Sequence, residues 1–184
     1  MKKAVFLSLV FVLLAGTSSF ASKTSDDRET RDLSGFSSVN FGISGNLYIN
    51  IGSEFKVVLE GDRSDLKEVI TEVRGGKLII KRDNWRFRMN EKVTVYITMP
   101  ELDGLGVSGS GKAEVRDGLK GNDLNLGVSG SGKILTGDLN LDRLDCGISG
   151  SGNIELGGSG NVSRAEISIS GSGNFRGDVV EIGN

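Results

Sequence analysis

The sequence predicts an all-β chain of stacked turns, a β-solenoid, on three observations. Ser-Gly-Ser-Gly recurs in LGVSGSGKAEV from Leu105, LGVSGSGKILT from Leu126, CGISGSGNIEL from Cys146 and ISISGSGNFRG from Ile167, at spacings of 21, 20 and 21 residues. Apolar and polar residues alternate around each copy, which is the two-residue period of a strand with one buried face. Glycine fills 28 of 184 positions and proline one, a composition that suits turn-rich extended structure and neither collagen nor a proline-rich disordered chain. A period near 20 residues then implies one rung per turn of chain, each rung unable to bury a core without its neighbours.

Aligning the copies gives columns. Asp103/Leu124/Leu144/Ala165, Leu105/Leu126/Cys146/Ile167, Val107/Val128/Ile148/Ile169 and, after the glycine turn, Ala113/Ile134/Ile154/Phe175 are expected to face inward. Ser108/Ser129/Ser149/Ser170, Lys112/Lys133/Asn153/Asn174 and Glu114/Leu135/Glu155/Arg176 are expected to face out. The Ser-Gly-Ser-Gly between strands reads as a tight corner, because glycine reaches positive φ without a Cβ clash. A phosphate-cradling loop would open a helix, and here a second strand follows. VNFGISGNLYIN from Val39 aligns with the copies and places Val39, Phe41, Ile43, Leu47 and Ile49 inside.

Residues 50–100 depart from the period. Phe55, Val57 and Leu59 alternate as a strand, whereas Leu66, Val69, Ile70 and Val73 have helical spacing and predict one short amphipathic helix over 62–73, ended by Arg74-Gly75-Gly76. Leu78–Lys81 and Val93–Met99 read as strands, the second stopped by Pro100.

Residues 1–21, with Lys2, Lys3, an apolar run from Ala4 to Ala15 and small residues at Ser19 and Ala21, read as a cleaved secretory signal. Thr17 stands where a lipoprotein signal would carry cysteine. Residues 22–32 are expected to be a polar lead-in and 33–184 a single domain, with regular repeats over 101–177. No transmembrane segment is expected in the mature chain, since the apolar run falls short of the ~20 residues a spanning helix needs. Loss of Lys2 and Lys3 leaves 20 basic against 24 acidic residues, which argues against a nucleic-acid partner.

The chain has no histidine and one cysteine, which removes Ser-His-Asp and Cys-His catalysis, His-ligated zinc and any intrachain disulfide. Calcium-type Asp-x-Asp-x-Asp-Gly spacing is absent as well. The expectation is therefore no catalytic residues, no metal and no cofactor. Cys146, in an inward column, reads as a small core hydrophobe. The distinctive stretch is Lys81–Asn90, in which Trp85, Arg86, Phe87 and Arg88 are candidate ligand contacts, through aromatic stacking and charge, to a glycan, an anionic headgroup or an envelope protein. The plainer reading is an extended strand pair or loop whose aromatics pack on the N-terminal rungs.

An FxxVxFGISGNLYIN opening from Phe36, Glu60-Gly61-Asp62 before a short helix, a GGKLII strand from Gly75, the junction VTVYITMPELDGLGVSGSG from Val93 and the repeated ISGSGN turns together resemble the head GIN domain family, whose label is auto-transporter adhesin. The resemblance covers about residues 33–176. It implies a right-handed parallel β-helix or related β-solenoid, exported and envelope-associated, with no established activity. Taken together, the sequence points to a non-enzymatic binding, adhesin-like or structural protein in the periplasm or at the surface of a bacterium. The alternatives are a β-helical enzyme acting on envelope or dietary polysaccharide, and a periplasmic protein that self-associates through its rung ends.

Overall fold

The computed structural model describes residues 27–83, 92–177 and 180–182. Strands β1 (Asp27–Arg31), β2 (Ser38–Phe41), β3 (Gly45–Ile51) and β4 (Lys56–Gly61) precede a short helix α1 (Arg63–Lys67). Next come β5 (Val69–Arg74), β6 (Lys77–Arg82) and β7 (Val93–Met99). Longer and shorter strands then alternate: β8 (Gly104–Gly109), β9 (Lys112–Val115), β10 (Leu119–Gly130), β11 (Lys133–Thr136), β12 (Leu139–Gly150), β13 (Asn153–Leu156), β14 (Gly160–Gly171), β15 (Asn174–Arg176) and β16 (Val180–Ile182). The stretch read as a lead-in thus carries β1.

The strands form two eight-stranded sheets, β1-β4-β7-β3-β9-β11-β13-β15 and β16-β14-β12-β10-β8-β2-β6-β5. This overturns the expected right-handed parallel β-helix or β-solenoid of ~20–21-residue rungs. Both sheets are mixed: β1 with β4, β4 with β7, and β5 with β6 run antiparallel. Nor does strand order follow chain order, because β3 lies between β7 and β9, and β2 between β6 and β8. The physical reason lies in the first half, where no 20-residue spacing exists. There, short returns of chain allow antiparallel pairing that a one-turn-per-rung path forbids.

From β8 onward the expected columns do meet. Leu105, Leu126, Cys146 and Ile167 are parallel partners strand by strand, as are Ala113, Ile134, Ile154 and Phe175. Val39, Phe41, Ile43, Leu47 and Ile49 are all buried, joined in one core by Val57, Leu59, Leu78, Ile80, Val93, Val95, Ile97 and Met99. Three inward assignments fail. Asp103 is exposed, as its charge requires in the absence of a buried partner. Ile167 and Ile169 are 38% and 45% exposed, because β16 pairs with only 160–162 of β14 and no strand among the described residues covers the rest of that edge.

Each Ser-Gly-Ser-Gly is a corner between a strand of one sheet and a strand of the other. Its first glycine, as at Gly130, sits at φ 104°, and its second, Gly132, has Val107 Cγ1 2.6 Å and the Gly111 carbonyl oxygen 3.0 Å from where a Cβ would stand. One needs glycine for its dihedral, the other for space.

The predicted helix over 62–73 is shorter and different in kind. Asp62 caps α1 by accepting from the Ser64 amide at 2.8 Å, and the helix ends at Glu68. Val69–Arg74 then forms β5, antiparallel to β6 across Gly75 and Gly76 at φ 55° and 73°. Two glycines with positive φ make a hairpin turn, and the β-branched Val69, Ile70, Thr71 and Val73 suit the strand.

Candidate functional site

The outer face of the second sheet carries a trough. Alternation turns Val39, Leu105, Leu126 and Cys146 inward and leaves Asn40, Gly106, Gly127, Gly147 and Ser168 as successive outward neighbours across β2, β8, β10, β12 and β14. Five strands at about 4.8 Å spacing make a floor about 19 Å long. Two adjoining hollows, of about 670 and 480 Å³, share those five residues.

The glycines of the floor differ from those of the corners. A Cβ at Gly127 or Gly147 would meet no atom within 4 Å, and neither residue has a left-handed φ. A strand glycine costs about 0.5–1 kcal/mol in conformational entropy, yet neither packing nor dihedral strain demands these. Their effect is a bare backbone that another molecule can approach closely.

The walls are polar. Ser108, Ser129, Ser149 and Ser170 line one side as exposed hydroxyls one strand apart. On the other side Asn125, Asp145 and Glu166 are successive partners. Arg143 Nε donates to both Asp145 carboxylate oxygens, at 3.1 and 3.0 Å, while its Nη2 lies 3.6 Å from Glu166. Lys77 and Ser38 close one end, and Asp103 lies on the rim.

Three carboxylates therefore border this trough, the feature a polysaccharide-cleaving enzyme would share. Their surroundings differ from those of an acid–base pair. Glu166 has a side chain 75% exposed, and Asp145 is committed to Arg143, whereas a general acid needs a carboxyl kept protonated by desolvation. Among the described residues no group of three His, Cys, Asp or Glu side chains is placed to hold a metal ion. What the surface offers is a periodic array of hydrogen-bond donors and acceptors.

Trp85, Arg86, Phe87 and Arg88 lie outside the described residues, as do the signal segment 1–21 and residues 22–26. Lys81, at the start of the stretch read as distinctive, is ion-paired to Glu72 at 2.8 Å. Cys146 is buried, and burial, helped by the negative charge of Asp145, pushes its thiol up to about 12. Sequence reasoning missed the trough. Its signal was present: Gly106, Gly127 and Gly147 occupy outward strand positions, away from any corner.

The family model described as "Putative auto-transporter adhesin, head GIN domain" matches residues 35–184. None of the curated proteins compared is similar to this chain. A Parabacteroides distasonis structure described as a "putative adhesin" is 19% identical, with 86% of this chain and 75% of that one covered and a TM-score of 0.70. A second P. distasonis structure, described as a "putative lipid binding protein", is 22% identical over 87% of this chain and 76% of that one, with a TM-score of 0.62. A Bacteroides fragilis "putative adhesin" is 16% identical over 86% of this chain and 97% of that one, with a TM-score of 0.56. At these identities the likeness is one of fold, and no helix among the described residues is long and apolar enough to cross a membrane. With the family model spanning the core, the corners and the trough alike, the chain belongs to the head GIN domain family.

Proposed function

We propose that this protein is a non-catalytic, adhesin-like binding module of the bacterial envelope that lays a linear, hydroxyl-rich polymer, a glycan, along the trough of the second sheet. The observation that carries this reading is the glycine floor between two polar walls. A bare backbone groove admits an extended chain, and serine, asparagine and carboxylate groups repeating at strand spacing match a ligand whose own hydroxyls repeat. The family's description supports an exported or surface-facing protein, and the signal-like residues 1–21 agree with export. Lipid, named for one structural neighbour, suits this trough less well, because an acyl chain needs an apolar lining.

The test is a panel of immobilised neutral and acidic polysaccharides presented to wild type, Gly127→Val and Gly147→Val. The added side chains enter open space on a strand, so melting temperature is expected to stay level or rise slightly, while retention on the panel falls. Variants that bind as wild type does discard the trough. The Trp85–Arg88 stretch is proposed as an accessory contact, tested by Trp85→Ala on the same panel. Soluble reducing ends that appear with wild type and vanish with Glu166→Gln would replace binding by hydrolysis.

A second reading is self-association, favoured by the exposed Ile167 and Ile169 along the edge of β14 that no described strand covers past residue 162.

A further inference from the structure

The outer face of the first sheet carries the aromatic chemistry that the trough lacks. Tyr48 on β3 and Tyr96 on β7 are direct partners, with ring centroids 5.6 Å apart and planes 25° from parallel. The Arg116 guanidinium lies 3.8 Å over the Tyr48 ring, so Tyr48 is engaged by both a ring and a cation. Tyr96 has the same two kinds of neighbour, Tyr48 and the Arg28 guanidinium, but its cation stands farther from the ring than Arg116 does from Tyr48. The partner of Tyr96 on β4 is Val58, a side chain too short to cover a phenol ring.

Over Val58 opens a hollow of about 200 Å³, lined by Arg28, Lys56, Val58, Tyr96 and Thr98. The Arg28 guanidinium carbon is 5.8 Å from the Tyr96 centroid, and its Nε donates to Glu60 Oε2 at 2.6 Å, which fixes it at the rim. Lys56 is exposed and has no ion-pair partner among the described residues. The hollow thus joins an aromatic face, an aliphatic floor, a hydroxyl and an ammonium that no described carboxylate pairs with. A neutral sugar would leave that charge unused, and a bare anion would leave the ring and the floor unused.

We propose that this hollow is a subsite for an acidic pyranose unit of a glycan. The C–H face of the sugar ring stacks on Tyr96 above Val58, its carboxylate meets Lys56 with Arg28 beside it, and a ring hydroxyl reaches Thr98. The site lies on the sheet opposite the trough and does not depend on the trough reading. A single such contact is weak, and a polymer presented to many copies of the protein gains by avidity.

The experiment is done in the Gly127→Val background, where the trough is obstructed and the first sheet alone is read. Affinity for polygalacturonate is compared with that for its fully methyl-esterified form, for sodium phosphate and for phosphatidylglycerol vesicles. Lys56→Gln and Tyr96→Leu are the variants, and their melting curves check that the fold is intact. Polygalacturonate is expected to bind more tightly than the ester, each substitution is expected to weaken it about five- to tenfold, and added salt is expected to weaken it further. Binding by Lys56→Gln equal to that of its parent, equal binding of acid and ester, competition by phosphate alone, or retention on vesicles with none on the polymer would each overturn the proposal.

Discussion

Cys146 sits among Leu126, Ile148 and Leu144 in the second sheet, 3% exposed. Desolvation favours the neutral thiol, so the folded state holds its proton more tightly than the unfolded chain, whose thiol titrates at about 8.5. The sign follows from linkage: this contribution to stability is complete below the unfolded value and is lost as pH rises from there toward about 12. A colorimetric thiol reagent at pH 8 is therefore expected to leave the native protein unmodified for hours and to react within seconds in guanidinium. Prompt reaction under native conditions would contradict a core role. The inward column Leu105/Leu126/Cys146/Ile167 made that role legible in the sequence. The same alternation misplaced Asp103, because the pattern of a strand cannot tell whether a charged side chain at an inward position will find a partner or turn to solvent.

At the scale of elements, the corners and the β5–β6 hairpin show why glycine is ambiguous when read without coordinates. Gly127 and Gly132 are five residues apart in one segment, yet a Cβ meets nothing at the first and collides with Val107 and the Gly111 carbonyl at the second. Gly132→Ala is expected to destabilise by about 1–3 kcal/mol, the usual cost of overpacking, and Gly127→Ala to be neutral or stabilising. Paired urea melts measure the difference, and equal midpoints would contradict it. Gly75 and Gly76 end one run and begin another in either reading, helix stop or hairpin turn. The helical spacing of Leu66, Val69, Ile70 and Val73 favoured the first, whereas pairing of β5 with β6 settled the second. A short apolar segment obeys whichever neighbour offers a ladder of backbone hydrogen bonds.

Over the whole molecule, the two ends of the sheets are unlike. One end is finished by β1, rich in Asp27, Arg28, Glu29 and Arg31, and by β5 beside α1. The other leaves Ile167 and Ile169 exposed on a stretch of β14 that, among the described residues, pairs with β12 on one edge alone. Charged edge strands resist pairing with another chain, and bare apolar ones invite it. Size-exclusion chromatography is expected to show a concentration-dependent shift to larger species that Ile169→Lys suppresses, and identical monomeric profiles for both proteins would reject self-association. The sequence by itself determined the all-β class, the cross-strand partners from β8 onward and the corners between them, because a near-constant spacing puts like residues in register whatever encloses them. Only the tertiary structure decided that the first half enters both sheets out of chain order and partly antiparallel, and that small outward residues line up as one trough. Those outcomes depend on which strand edges meet in space, a competition among long-range pairings that the local pattern of side chains does not encode.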